Sequence, residues 1–355
     1  MDSVRLVAEG LAALLALFFI CNIWQKKKRE ARGRLPEPDG RWPIVGHLGL
    51  LTGTTPLYKT LAALSEKLGP LFSLQLGQRR AIVVSSMDFA KECFTVNDRA
   101  FAGRPQLEGW KRLGYNRAMF VFSPYGPYFL ELRKIVANKL LSSQQLRLVL
   151  VVAGTESMAV TLEWALSLLL NNPHLLKKAQ DELDCQVGKE RQVDESDLSN
   201  LPYLQAIVKE TMRLHPTGPL LDPHESTEPV QLGGFEVPVG SILFVNVWKI
   251  HHDPTLWADP EEFKPERFLS SRNEMTGFGG QDFAFLPFGS GRRICVGRWM
   301  AMQVLHLTLA CLLQSFEWST PMNEPVDMTV GHGLTLPKAT QLRVLLRPRL
   351  PPHLY

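Results

Sequence analysis

One stretch constrains this chain more than any other: Phe288-Gly-Ser-Gly-Arg-Arg-Ile-Cys-Val-Gly297, followed by an apolar segment predicted to be a helix from Gly297 to Phe316. It presents a cysteine on a glycine-rich loop at a helix start. A thiolate bound to iron needs such a loop, because backbone amides turned toward sulfur tune its electron donation. Gly291 permits the tight backbone, Gly297 lets the following helix approach a bound group closely, and Arg293 can pair with a carboxylate on that group. A phosphate loop would end in Lys-Ser or Lys-Thr, which is absent. The other alternative is a helix-capping loop with an incidental cysteine.

The remaining cysteines, Cys21, Cys93, Cys185 and Cys311, are scattered and form no CxxC pair, which argues against a zinc site and a disulfide framework. A net charge of +4 over 355 residues excludes a dedicated nucleic-acid binder. An apolar content of 45% and a charged content of 21% describe a globular chain able to bury a large core.

The basic excess is local. Leu6 to Trp24 is almost continuously apolar, close to the roughly 20 residues that span a bilayer as a helix. Lys26, Lys27, Lys28, Arg29, Arg32 and Arg34 follow it, and only Arg5 precedes it. A cleaved signal peptide carries its charge before the apolar run. The reverse order predicts an uncleaved transmembrane signal-anchor over 4–25, with everything beyond it cytosolic. Three prolines in Leu35-Pro-Glu-Pro-Asp-Gly-Arg-Trp-Pro-Ile-Val-Gly46 complete a basic and proline-rich linker over 26–46, stiff enough to pose the following domain against the membrane.

Beyond the linker, periodicity predicts a mostly α domain with small β-sheets over 47–355. Helices are expected at Thr55–Leu68, Met87–Asp98, Glu131–Leu150, Val151–Leu170, Pro173–Gln186 and Asn200–Arg213. A hairpin is expected over Leu71–Ser86 around Gly77, with short strands over Val230–Val247 and a strand-like tail over Val326–Leu346. Phe101–Tyr125 and Pro260–Ser290 read as irregular.

At every fixed position the cysteine stretch resembles the cytochrome P-450 pattern Phe-x-x-Gly-x-Arg-x-Cys-x-Gly, and five fixed positions count against both alternatives above. The resemblance implies that Cys295 ligates the iron of haem b, with Phe288, Gly291, Arg293 and Gly297 around it. It implies that Glu210 and Arg213, three apart in Glu210-Thr-Met-Arg213, join Arg267 of Pro265-Glu-Arg-Phe268 in a buried structural lock. Ala153-Gly-Thr-Glu-Ser157 resembles the oxygen-activating helix, which makes Glu156 and Ser157 a proton relay. Where the family has Trp-Arg, this chain has Phe129-Leu130, while Arg133 is kept and can contact a propionate. His224, in the segment after the Glu-x-x-Arg helix, sits where the family has a basic residue reaching the haem; a surface histidine is the other reading. The tail Gly331-His-Gly-Leu-Thr-Leu-Pro-Lys-Ala-Thr340 most resembles a plant group with nicotine demethylases, alkaloid hydroxylases and homoterpene synthases. The implied function is oxidation of a small apolar terpenoid or alkaloid at the endoplasmic reticulum membrane, with electrons from NADPH through NADPH-cytochrome P-450 reductase.

Members of the family are longer, and the shortfall here is internal, near 148–150. A long helical block, with the first half of the oxygen-activating helix and the roof of the substrate pocket, is expected to be missing there. Three readings follow: a monooxygenase, a non-catalytic membrane-anchored haem-binding remnant, or a misfolded product.

Overall fold

In the computed structural model, residues 34–140, 154–269, 280–331, 333 and 335–355 are described. The apolar run at 4–25, the start of the linker, the junction near 148–150, Ala153, and His332 and Leu334 of the tail lie outside them. Helices of eight or more residues are α1 (Leu57–Leu68), α2 (Met87–Phe94), α3 (Pro127–Ile135), α4 (Thr155–Asn171), α5 (Pro173–Gln186), α6 (Pro202–Leu214) and α7 (Arg298–Ser315). Among the described residues eight short strands run from β1 (Leu71–Leu76) and β2 (Arg79–Val84) through β3 (His224–Glu225), β4 (Val230–Leu232), β5 (Phe235–Val237) and β6 (Ile242–Val245) to β7 (Phe316–Ser319) and β8 (Leu345–Pro348). The fold is mostly helical with small sheets. Among the described residues no helix is long and apolar enough to cross a membrane.

The hairpin forms as its alternation demands. Gly77 takes φ +59°, and the register pairs Leu71 with Val84 and Leu76 with Arg79. β2 then pairs in parallel with β6, and β3 closes the sheet in the order β1-β2-β6-β3. Ala81 to Val84 are fully buried, which explains why β2 ends as a continuous apolar run rather than an alternating one.

A separate core lies among α4, α5, α6 and α7, where Leu169, Leu183, Leu204, Leu309 and Leu313 have no exposed surface. Proline at the first turn starts α5 and α6. Ten of the thirteen residues of α6 are buried, so its charged pair is carried inside.

Two expectations need correcting. The tail from Val326 is not a strand: its one strand, β8, starts at Leu345, and before it Val330 and Lys338 form an isolated bridge. That stretch is tied instead to α4 by side chains. Asn171 exchanges two hydrogen bonds with Val326 (2.8 and 2.9 Å), and Trp164 Nε1 donates to Leu336 O (2.6 Å). Phe101–Tyr125 also holds a short helix, Glu108–Leu113, which its mixed residues gave no period to reveal.

Candidate haem-thiolate site

The cysteine loop is built from its glycines. Gly291 has φ +64°, and a Cβ there would meet Asp98 Oδ1 at 2.2 Å, so a side chain is excluded on two counts. Asp98 accepts from the Arg292 amide (2.9 Å) and pairs with its guanidinium (3.3 Å). The Cys295 amide donates to Phe288 O (3.0 Å), closing the loop. Cys295 itself is exposed, just before the first turn of α7. Packed protein removes enough water around its sulfur to raise the thiol pKa. The Gly297 amide, Arg298 and Arg133 act the other way, as does the positive end of α7.

Four basic side chains gather beside the loop. Arg293 donates to Ala102 O (2.8 Å) and Ser123 O (2.7 Å), and its guanidinium carbon lies 3.9 Å from the Phe129 ring centroid. Desolvation first, then Arg104 and Arg133, push its pKa down to about 9. Arg133, on α3, donates to Ile294 O (2.9 Å), and burial followed by Arg298 lowers its pKa. His224 is buried, with Nδ1 2.7 Å from Phe101 O, and burial, then Arg104, push it down to about 3. The surface reading of His224 is thereby excluded.

Arg104 was missed by the sequence reading. It is 6% exposed, donates to the carbonyls of Val121, Asp222 and Pro223, and burial lowers its pKa. Its signal was a charged residue inside the apolar stretch Phe101-Ala-Gly-Arg-Pro105.

Glu210, Arg213 and Arg267 are brought together. Arg213 Nε and Nη2 donate to the two oxygens of Glu210 at 2.7 and 2.8 Å, and Arg267 Nε donates to Glu210 Oε1 at 2.9 Å. Glu210 and Arg213 are fully buried. The Lys264 amide adds a bond to the carboxylate (3.0 Å), while the carbonyls of His251 and Pro260 accept from Arg213 (2.8 Å each). This satisfies the condition under which buried ion pairs are tolerated.

Glu156 and Ser157 are neighbours in the first turn of α4 but bond elsewhere. Glu156 is exposed and accepts from Thr335 Oγ1 (2.8 Å); Ser157 Oγ donates to Gly154 O (3.2 Å).

These residues fit a haem. No group of three His, Cys, Asp or Glu side chains able to hold a metal exists among the described residues. An iron carried in a macrocycle needs only one protein ligand, and Cys295 offers one. Among the described residues only Arg104 of this cluster pairs with a carboxylate, the 69% exposed Asp222 at 3.6 Å, so Arg293 and Arg133 can accept the negative edge of a porphyrin. A Cβ on Gly297 would meet no protein atom within 4 Å, so protein packing does not account for that glycine.

Comparison with known proteins agrees. Residues 36–152 and 144–344 match the family described as cytochrome P-450. Vinorine hydroxylase of Rauvolfia serpentina is 36% identical over 480 residues, covering 100% of this chain and 100% of the relative. Xanthotoxin 5-hydroxylase of Arabidopsis thaliana is 33% identical over 512 residues, covering 96% and 98%. A solved zebra fish cytochrome P-450 with progesterone superposes with a TM-score of 0.73 at 25% identity, over 83% of this chain and 100% of that one. By its fold, its cysteine loop and these likenesses, the chain belongs to the cytochrome P-450 monooxygenase family, whose cofactor is a thiolate-bound haem.

Proposed function

We propose that the chain is a haem-thiolate monooxygenase of plant specialised metabolism. In this reading it is anchored at 4–25, its linker spans 26–46, and its catalytic domain, 47–355, faces the cytosol from the endoplasmic reticulum membrane. The observation that carries it is the clamped loop that offers the Cys295 thiol beside a basic cluster short of carboxylates. Cys295 would ligate the iron. Arg293, Arg133 and Arg104 would hold the propionate edge, and Phe288, Gly291 and Gly297 would shape the cradle; His224, neutral and donating its one N–H to Phe101 O, would line the site rather than pair with a propionate.

When bound, haem supplies the activation of dioxygen, using electrons from NADPH through NADPH-cytochrome P-450 reductase. The chain's own groups do the rest. The Gly297 amide and the start of α7 stabilise the thiolate. Glu156 and Ser157, adjacent in the first turn of α4, would serve as the proton relay once they leave their present partners, Thr335 Oγ1 and Gly154 O. Glu210, Arg213 and Arg267 fix the scaffold. The substrate in this reading is a small apolar terpenoid or alkaloid, hydroxylated or oxidatively cleaved; the hydroxylases among the relatives support hydroxylation.

A second reading, a haem-binding remnant that does not couple, is favoured by one observation. The family match falls into two pieces that meet within 144–152, and the alignment with vinorine hydroxylase is longer than the 355-residue chain. We infer an internal deletion near 148–150 that removes the pocket roof and the turns ahead of Glu156, leaving water free to enter. The test supplies reductase and NADPH, then compares cofactor consumed with peroxide and oxygenated product. A haem-loaded chain is expected to release mostly peroxide. Tight coupling on a terpenoid or alkaloid would contradict the inferred deletion's effect. Failure to take up haem would leave the misfolded product as the reading.

A further inference from the structure

We propose that Phe129 is a positioning residue: its ring face holds the Arg293 guanidinium at the edge of the haem site, in the place where the family's tryptophan would offer an N–H. This rests on the haem-thiolate reading above. A phenylalanine has no hydrogen to donate, so whatever it contributes to holding an anionic edge must pass through a neighbour. The neighbour is Arg293, whose guanidinium carbon lies 3.9 Å from the ring centroid, inside the range of a cation–π contact.

The ring is itself held fast. Phe129 is 1% exposed, Phe120 stacks on it at 5.0 Å and 11°, and Tyr125 tilts against it at 5.7 Å. Arg293 is held by neutral groups, the Ala102 and Ser123 carbonyls and the ring, and none of these neutralises it. No carboxylate pairs with it directly among the described residues, and its Nη1 keeps no hydrogen bond there. The arrangement fixes the guanidinium plane and leaves its charge for an incoming anion. The next residue, Leu130, is 40% exposed and replaces the family's arginine without supplying a donor. Arg293 therefore carries more of the edge than it would beside Trp-Arg.

A plain core role for Phe129 predicts sensitivity to volume; the positioning role predicts sensitivity to the ring's negative face. Progressively fluorinated phenylalanine at position 129 separates them, because volume is nearly kept while the face loses its charge. Haem loss from the reconstituted full chain is followed by transfer to apomyoglobin, alongside the melting of the haem-free form. Loss is expected to quicken about threefold to tenfold across the series, with melting unchanged. Phe129→Leu should behave like the most fluorinated ring, and Phe129→Trp should retain haem at least as well as the unaltered chain. In an Arg293→Met background the fluorination series should have no effect. A flat series in the unaltered background, or the same slope with Arg293→Met, would overturn the proposal. An unaltered chain that takes up no haem would instead sink the reading beneath it.

Discussion

Replacing Arg213 with methionine should be among the most destabilising changes outside the cysteine loop. The side chain is fully buried and donates twice to Glu210, and to the carbonyls of His251, Pro260 and Glu262. Its removal leaves a buried carboxylate that keeps, among the described residues, only Arg267 and the Lys264 amide. Breaking a buried pair from one side costs about 3–5 kcal/mol. The two surviving donors place Arg213→Met near the lower end, ~3 kcal/mol. For a chain of 355 residues that lowers the melting midpoint by roughly 4 °C. Removing both charges, as Glu210→Leu with Arg213→Met, should recover part of the loss. It cannot recover all of it, because the His251 and Pro260 carbonyls lose the Arg213 donor at ~1 kcal/mol or more each, while Glu262 O keeps Arg267 Nη2. Lys177→Met is the control: its pair with Asp181 is exposed, 71% and 56%, and is worth ~0.5 kcal/mol or less. The assay is thermal and urea unfolding by far-ultraviolet circular dichroism. An Arg213→Met loss no larger than the control's would refute the lock, as would a double variant worse than the sum of its parts.

Two further outcomes are expected. His215, His224, His251, His252 and His306 all lie below their ordinary 6.5, chiefly through burial, with His215 and His224 near 3 and His252 and His306 near 4. The unfolded chain binds these protons first, so the stability they contribute is complete above pH 6.5 and drains away toward pH 3–4. His306, whose Nε2 has no partner among the described residues, isolates one such site; His306→Leu should shrink the loss between pH 6.5 and 4 by up to ~3 kcal/mol, and an unchanged pH slope of the urea midpoint would count against it. In microsomes the domain after residue 25 should be open to added protease without detergent, since Lys26–Arg29 flank that side; protection of the C-terminal domain would reverse the topology.

What the sequence revealed depended on how local each signal was. Gly77, the proline start of α5, and the i, i+3 spacing of Glu210 and Arg213 act within a few residues, and the elements formed where they pointed; α6 starts at Pro202, two residues after the expected Asn200. The reason for Gly291 was only half visible. Its positive φ was readable from a tight loop, whereas the clash with Asp98, far upstream, was not. Arg104 escaped because its hydrogen bonds go to the backbone carbonyls of Val121, Asp222 and Pro223, which carry no side-chain signal, and its one carboxylate partner, Asp222, lies 118 residues away. The tail misled because its apolar spacing serves contacts with α4 rather than a neighbouring strand. Phe129 looked like a simple loss of a donor, because its contact with Arg293 joins segments about 160 residues apart.

Cys295 would ligate the iron of a bound haem. The direct measurement is the absorption spectrum of the reduced chain under carbon monoxide. Thiolate donation to iron predicts the red-shifted band from which the family takes its name. The unaltered chain should show it, and Cys295→Ala should abolish it. A Cys295→Ala variant that keeps the band would contradict the assignment.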